Sequence, residues 1–370
     1  MPLTRLNMVD VSAVIDLAGP DVHVFPVAGA LVALGSAAMV IIADPFPDPA
    51  DGGVWNDQEF RLIGPVPAPV YSRLVKPLPF TAVSDQTGLP LHLAVRLDDA
   101  CLYLGVVQVG MCEYTSDELI RCRLRIAPPL SREVLTKVRP PAVPPALPGI
   151  GWLDHVKTDP GLALELFVTG WHPVTERQPP FTEIPKSLPL ALARFYRLAG
   201  ERPAIRGGQN RIRSVTRLST DNRGERLFFA DENHGGWDWS IPWELDGEDT
   251  DPIVWLTEDT QPVPEQEPLS GFLLQFSLYE AAMTAPYKAF PRNFPTQLIP
   301  KLEACLRRVP LRPFLAPIVP TDFLVGPGVV AHISPDWHNE DEVDVWIGAC
   351  HRSALGPLGD LHIPWSRFDG

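Results

Sequence analysis

Cysteine is scarce in this sequence, and its few thiols suit neither a zinc site nor a disulfide framework. The 370 residues contain an odd number of cysteines, namely Cys101, Cys112, Cys122, Cys305 and Cys350. No Cys-x-x-Cys pair occurs, although such pairs commonly hold structural zinc. We therefore expect small buried thiols in a reducing cytoplasm, with no metal and no other cofactor.

Little in the chain is typical of a membrane span or a signal peptide. Residues 24–43 carry no charge, but proline and glycine interrupt them and no basic residue flanks them. A span needs about 20 strongly apolar residues, usually with flanking Lys or Arg. We instead predict a buried hairpin with strands near 27–34 and 38–43. The N-terminus has charged residues before any apolar run, which disfavours a signal peptide.

Sequence signatures of covalent or phosphate-transfer catalysis are also missing. There is no GxSxG motif, and no glycine-rich phosphate loop precedes a helix. Cys101 with His92, or Cys350 beside His351, could form a Cys/His pair, but adjacent residues on a strand face opposite ways. We assign no catalytic residue and predict that the protein is not an enzyme.

Basic residues are absent from one long segment, which carries almost all of the negative charge. The chain has a net charge of -14, and residues 227–287 contain 13 carboxylates with no Lys or Arg. Such a field repels nucleic acid and attracts basic partners, so we predict no nucleic-acid partner. Seven arginines lie just upstream in residues 202–226, and how much of the charge they pair internally stays open.

Proline is abundant, and it marks the domain boundary. The chain has 43 prolines, which disfavour long helices through most of its length. We predict a β-rich domain over 1–138, a proline-rich linker over 139–151 and an α+β domain over 152–370.

Short β-branched runs predict that the N-terminal domain is mostly β. The runs are residues 91–97, 101–110 and 120–126. In the last run apolar residues alternate with arginines, the pattern of a half-buried strand. The apolar positions are Ile120, Cys122, Leu124 and Ile126.

The C-terminal domain is predicted to combine helices with an antiparallel sheet. One helix is expected over 187–200, with Ser187 as N-cap and Gly200 at its end, and a second over 267–283. A shorter helix is expected over 298–309. The strand candidates are residues 210–218, 226–230, 251–256, 329–333 and 343–349, with a hairpin turn at TDNRGE. This order indicates an antiparallel sheet with helices packed on it.

Three stretches in order carry a resemblance: LPLALARFYRLAG, then LFFADENHGGWDWSIPWELDGEDTDPIVWL, then EPLSGFLLQFSLYEAA. Together they resemble the SUKH superfamily of bacterial toxin-immunity proteins and fungal cell-wall-synthesis regulators. The match is best over 185–285 and extends loosely over 150–370. The resemblance implies a non-catalytic α+β domain that binds and neutralises a toxin, often a nuclease. Residues 1–138 lie outside it.

Two acidic clusters could in principle hold a metal, although we predict none. In the first, a turn through DENHGG would splay the side chains apart. In the second, Pro335 breaks the strand that would align its two histidines. The first cluster contains Asp231, Glu232, His234 and Asp238, and the second His332, Asp336, His338, Glu340 and Asp341.

The tryptophans allow two interpretations. Trp237, Trp239 and Trp243 are spaced by two and four, so a strand places all three on one face. That face either packs beneath the helices or forms a partly exposed aromatic patch ringed by carboxylates. Trp255 is expected in the core.

Composition and resemblance together favour an intracellular immunity or interaction protein. Its partner would be a cognate basic toxin domain, bound through an acidic surface without membrane involvement. Two alternatives stay open: a hydrolase with its site in the N-terminal domain, and a non-catalytic regulatory scaffold. The predicted partner contacts are Glu232, Trp237, Asp238, Glu244, Asp246, Glu248 and Asp249.

Overall fold

The chain divides into two compact units, residues 1–143 and 144–370, in a computed structural model. The division falls inside the proline-rich stretch. The structure describes residues 8–27, 29–46, 55–74, 89–114, 119–140, 146–174, 183–243, 251–258, 261–291, 293–315, 319–361 and 363–370.

The first residue of the expected linker is packed in unit 1, and residues near its other end are hydrogen-bonded in unit 2. The Arg139 side chain is buried in unit 1, where it donates to the Trp55 carbonyl at 3.1 Å. In unit 2 the Gly328 N–H donates to the Pro148 carbonyl at 3.0 Å. The spacer between the described parts of the units is therefore shorter than the predicted 139–151.

Unit 1 is a mostly antiparallel sheet with helices beside it. Strands follow the order β2-β3-β4-β6-β7-β8-β5, and β1 pairs with β7; β4 and β6 run parallel. Its described elements are β1 Met8–Asp10, α1 Val11–Asp16, β2 His23–Val27, β3 Ala30–Leu34, β4 Met39–Ala43, β5 Glu59–Ile63, α2 Ala68–Leu74, β6 Leu91–Leu97, β7 Ala100–Tyr114, β8 Leu119–Arg125 and α3 Arg132–Val138.

Two predictions for this unit are confirmed. Strands β3 and β4 form the buried hairpin expected from residues 27–43. In β8, Cys122 and Leu124 are fully buried while Arg121 and Arg125 are exposed, as the alternating pattern predicted. Among the described residues of the whole chain, no helix combines the length and the apolar character that crossing a membrane would require.

Unit 2 contains two antiparallel sheets, where the sequence had predicted one. The first has the order β10-β11-β12-β13-β14 with β9 on β11, and the second β17-β18-β19-β20-β15-β21 with β16 on β20. Its described elements are α4 Pro160–Trp171, α5 Leu190–Glu201, β9 Asn210–Ile212, β10 Ser219–Thr220, β11 Arg226–Glu232, β12 Trp237–Pro242, β13 Ile253–Glu258, β14 Gln261–Pro268, α6 Leu269–Thr284, β15 Tyr287–Pro291, β16 Phe294–Pro295, α7 Ile299–Glu303, β17 Arg307–Arg308, β18 Asp322–Gly326, β19 Val329–Pro335, β20 Glu342–Ala349, α8 Gly356–Gly359 and β21 Trp365–Phe368.

Helix α6 is the centre of unit 2, and it contacts strands of both sheets as well as α4 and α5. Because it has neighbours on every side, even its polar residues Gln275 and Glu280 are buried. Asp251 caps its start by accepting hydrogen bonds from the Ser270 N–H and hydroxyl, both at 2.7 Å. The predicted helix over 267–283 is therefore confirmed within two residues at its N-terminal end and one at its C-terminal end.

The predicted caps of the preceding helix were wrong. Helix α5 begins at Leu190, with Pro189 in an extended conformation as its N-cap, and Gly200 lies inside the helix. Ser187 is therefore two residues too early to act as the cap. A proline at this position supplies the extended backbone but no side-chain acceptor.

Two elements are shorter than predicted. The strand expected over 210–218 pairs with β11 for three residues only, and the chain then forms a 3-10 helix at Val215–Arg217. The helix expected over 298–309 shrinks to α7, because the chain turns and enters β17. Pairing with a neighbouring strand decides both outcomes.

Trp255 is half-buried, which corrects its expected place in the core. Strand parity points Val254 and Leu256 inward instead, and both are buried. The Arg226 guanidinium lies 5.3 Å from the centre of the Trp255 ring, a cation–π contact on the outer face of the sheet.

Candidate functional site

The turn between β11 and β12 is organised by Glu232. This residue is only 6% exposed, and its carboxylate accepts the N–H groups of His234 at 2.7 Å and Gly236 at 3.1 Å. Its negative charge is satisfied by the backbone of its own turn. Glu232 is therefore poorly placed to contact a partner, contrary to its role among the predicted contacts.

Asp238, another predicted contact, lies directly opposite Asp231 on the neighbouring strand. Two facing carboxylates repel each other, and the Arg213 guanidinium lies between them. It donates to Asp231 at 2.8 Å and also to Asp238. Desolvation raises the pKa of Asp238, while Arg213 opposes that effect. Asp238 is partly exposed but already has its cation.

The tryptophans of β12 point inward. Trp239 is fully buried, and its indole N–H donates to Glu265 at 2.9 Å. Trp237 and Trp243 are half-buried and pack against the same core. The common face is confirmed, and it packs in the core as the first interpretation held. Trp237, a predicted contact, offers only part of its ring to solvent.

The other described carboxylates of residues 227–287 are also engaged, apart from Glu258, which is exposed. Glu267 accepts from the Arg312 backbone N–H at 2.8 Å and from its guanidinium at 3.2 Å. Glu280 accepts three backbone N–H groups. Glu265 accepts from the Trp239 indole N–H. Asp251 accepts from Ser270 at the start of α6. Seven of the eight described carboxylates thus accept hydrogen bonds within unit 2, mostly from backbone.

This pattern changes the electrostatic picture of the segment. Of the seven upstream arginines, Arg213 is the one that pairs with a described carboxylate of residues 227–287. Five of the other six described carboxylates accept hydrogen bonds from backbone N–H groups, which no count of side chains could reveal. Four predicted contacts lie outside the described residues: Glu244, Asp246, Glu248 and Asp249.

A cleft of about 840 Å³ borders the same turn, and its lining carries several arginines. Arg211 and Arg217 are exposed and Arg206 is half-buried. None of these three has an ion pair within the part of the chain that the structure describes. Sequence reasoning considered these arginines only as possible internal counter-ions and left their pairing open. Their uneven spacing gave no signal that they would share a cleft.

A second acidic and aromatic feature is the loop between β19 and β20, residues 336–341. Trp337 at its tip is 70% exposed, more than any other exposed large apolar side chain among the described residues. Asp336 shapes the loop by accepting the N–H groups of His338 at 2.7 Å and Asn339 at 2.9 Å. Glu340 and Asp341 are exposed beside it. We call residues 336–341 the Trp337 loop.

His332, which the sequence grouped with this loop, lies in the core. Its ring stacks on Tyr279 with centroids 5.0 Å apart, and burial lowers its pKa to about 4. It is therefore a neutral packing residue. Within the described ranges, no three His, Cys, Asp or Glu side chains are grouped so that they could hold a metal ion.

The two imagined Cys/His pairs have other partners. His92 forms a hydrogen bond of 2.7 Å with the Tyr103 hydroxyl, while desolvation raises the pKa of the buried Cys101. His351 contacts Ser353 at 2.8 Å, and burial raises the pKa of Cys350. Raised values disfavour the thiolate that a nucleophile needs.

Comparisons of the chain with protein-family models, with curated proteins and with solved structures return no match.

Proposed function

We propose that this chain is an interaction protein that neutralises a cationic toxin domain by binding it, the role which the SUKH resemblance implies. The exposed Trp337 carries the proposal. Tryptophan is enriched among residues that dominate binding energy, where it is desolvated by the partner. A large apolar ring held at the tip of an ordered acidic loop has the composition of such a site.

The charges around this ring favour a basic partner. Asp336, Glu340 and Asp341 surround Trp337 in sequence, and Asp344 is exposed in the strand that follows. Carboxylates near an aromatic anchor accelerate the encounter with a cationic surface and disfavour acidic competitors. The Trp337 loop thus combines the aromatic and acidic features that the sequence had assigned to the turn before β12.

The order of elements supports the SUKH-like part of the proposal. Over residues 185–285 a helix, α5, is followed by the antiparallel strands β9 to β14 and then by α6. A binding role without catalysis and a cytoplasmic location belong to the same proposal. Glu244, Asp246, Glu248 and Asp249 stay in it as further acidic contacts.

The experiment begins with capture of the partner by the tagged chain in its native host and identification by mass spectrometry. Association and dissociation with the purified partner are then measured at low and high salt. We expect Trp337→Ala to weaken binding by about 30-fold or more, the loss typical of a dominant interface residue. Glu340→Lys with Asp341→Lys should slow association and flatten its salt dependence.

The matched control reverses two exposed charges of unit 2 outside the Trp337 loop, as Glu258→Lys with Glu165→Lys. It changes net charge equally, so it should slow association less than the loop variant does and leave the dissociation rate unchanged. Wild-type affinity in both loop variants would refute the assignment of the surface. Failure of the chain to rescue growth of cells that express the captured partner would refute the immunity role.

A further inference from the structure

The inner wall of the arginine-lined cleft is formed by residues between Pro203 and Arg217, and Glu280 supports it from behind. Residues 207–210 form a loop in which the N–H groups of Gly208, Gln209 and Asn210 donate to the buried Glu280 carboxylate at 2.7 to 2.9 Å. Gly207 has a φ of +89°, and a Cβ there would lie 2.2 Å from the Asn210 carbonyl oxygen. Only glycine fits this position, and the three hydrogen bonds to Glu280 hold the loop in place.

The wall places its arginines from three short elements. Arg206 ends a 3-10 helix, Arg211 lies in β9, and Arg217 ends the next 3-10 helix. Because each element is fixed by its own backbone hydrogen bonds, the Cα positions from which the three side chains extend are set before any ligand arrives. Such preorganisation lowers the entropy lost on binding.

The cleft lining contains four arginines and three carboxylates, so its net charge is small and positive, and the arginines differ in how they are paired. Arg213 is saturated by Asp231 and Asp238, and the Glu232 carboxylate is occupied by its own turn. The other three guanidinium groups have no carboxylate partner among the described residues. Like charges that share a cleft repel one another, and an anion bound among them would relieve this repulsion.

Arginine is suited to oxyanions because its planar fork can donate two parallel hydrogen bonds to one phosphate or carboxylate. The cleft volume of about 840 Å³ lies in the usual range of small-ligand sites, about 300–1,000 Å³. Ser214, Asn233 and His234 add polar groups to the lining. With a chain charge of -14, a long polyanion would be repelled over most of its length, whereas a small one would not.

We propose that this cleft binds a small ligand with at least two anionic oxyanion groups, either phosphates or carboxylates. The site is separate from the Trp337 loop and does not depend on the proposed immunity role. Its recognition elements are Arg206, Arg211 and Arg217, with Arg213 fixed at the centre by its two aspartates.

Isothermal titration calorimetry of the full chain at low ionic strength tests this proposal. The probes are pyrophosphate, citrate and, as a monoanion, acetate. We expect one pyrophosphate or one citrate to bind with a Kd below about 1 mM, and acetate to bind much more weakly. Binding by pyrophosphate alone would assign a phosphate ligand, and binding by citrate alone a carboxylate ligand.

The decisive variant is Arg211→Gln with Arg217→Gln, since both side chains are exposed and their loss should not affect folding. Each charge-assisted contact removed should weaken binding by about tenfold. The control, Arg223→Gln with Arg307→Gln, removes two exposed arginines that do not line the cleft and should bind as the wild type does. Absence of binding by both polyanions, or equal binding by the two double variants, would overturn the proposal.

Discussion

Glu280 should determine the stability of the inner wall of the cleft. It is 3% exposed and is the acceptor for three backbone N–H groups. Glu280→Ala removes the acceptor of all three N–H groups, of which that of Asn210 is buried while those of Gly208 and Gln209 are partly exposed. The buried donor costs about 1–3 kcal/mol when it is left unsatisfied, and each of the other two about 0.5–1.5 kcal/mol because water can replace the acceptor. The sum, about 2–6 kcal/mol, is a large part of the stability of a domain, about 5–15 kcal/mol. Glu280→Ala should therefore strongly destabilise unit 2.

Glu280→Gln gives a graded version of the same change. One amide oxygen replaces two carboxylate oxygens, so at least one charge-assisted hydrogen bond is lost, worth about 1.5–3 kcal/mol. Desolvation raises the pKa of Glu280, whereas its hydrogen bonds lower it. Burial therefore destabilises the ionised carboxylate that these bonds stabilise. A neutral amide avoids part of that penalty, and we therefore expect a loss near the lower end, about 1.5 kcal/mol.

Urea unfolding followed by tryptophan fluorescence measures this loss, because nine of the ten tryptophans lie in unit 2. The control is Glu165→Gln on the exposed face of α4, which should change stability by less than about 0.5 kcal/mol. Pyrophosphate binding should also weaken in Glu280→Gln if the wall loosens. An Ala variant that loses less than about 1 kcal/mol would show that the three N–H groups find other acceptors, and the reasoning would be wrong.

Three further predictions concern the interior of unit 2. Burial holds the pKa of His332 at about 4, below its ordinary 6.5, so the unfolded chain binds more protons and stability falls as pH drops from 6.5 to 4. That loss reaches about 3 kcal/mol. The difference in unfolding free energy between wild type and His332→Phe should therefore change by this amount between pH 6.5 and pH 4. Gly348→Ala should lower Tm and cost about 1–3 kcal/mol, because the new Cβ would lie 2.4 Å from the Ala282 carbonyl oxygen; an unchanged Tm would contradict this close packing. Asp251→Ala removes the acceptor of the Ser270 N–H and should cost about 1 kcal/mol by urea midpoint, whereas Asp251→Asn should retain most of that stability.

Sequence patterns predicted the local elements well where one periodicity dominated. The alternation in β8 and the hairpin β3–β4 were both correct, since period-two burial identifies a strand without reference to its neighbours. Helix α6 was identified by its apolar run between two prolines. Errors arose where pairing or capping decided the result, as at Pro189 and at the short strand β9.

The candidate sites were less predictable. Counting charges indicated an acidic segment. However, the partners of Glu232 and Glu280 are backbone N–H groups, and a count of charged side chains gives no information about these. The arginines were noticed only as possible counter-ions. Neither Trp337 nor the cleft was proposed as a site, because exposure depends on the packing of residues distant in sequence.

The sequence by itself determined most of the strands and helices with a single clear periodicity, where the proline-rich boundary lies, and how much charge each segment carries. These properties follow from spacing and composition, which act over a few residues. Only the tertiary structure decided which charges meet a partner. Arg213 is neutralised by two aspartates while Arg211 and Arg217 are not, because hydrogen bonds and desolvation depend on distances of a few ångströms between residues that the sequence does not relate.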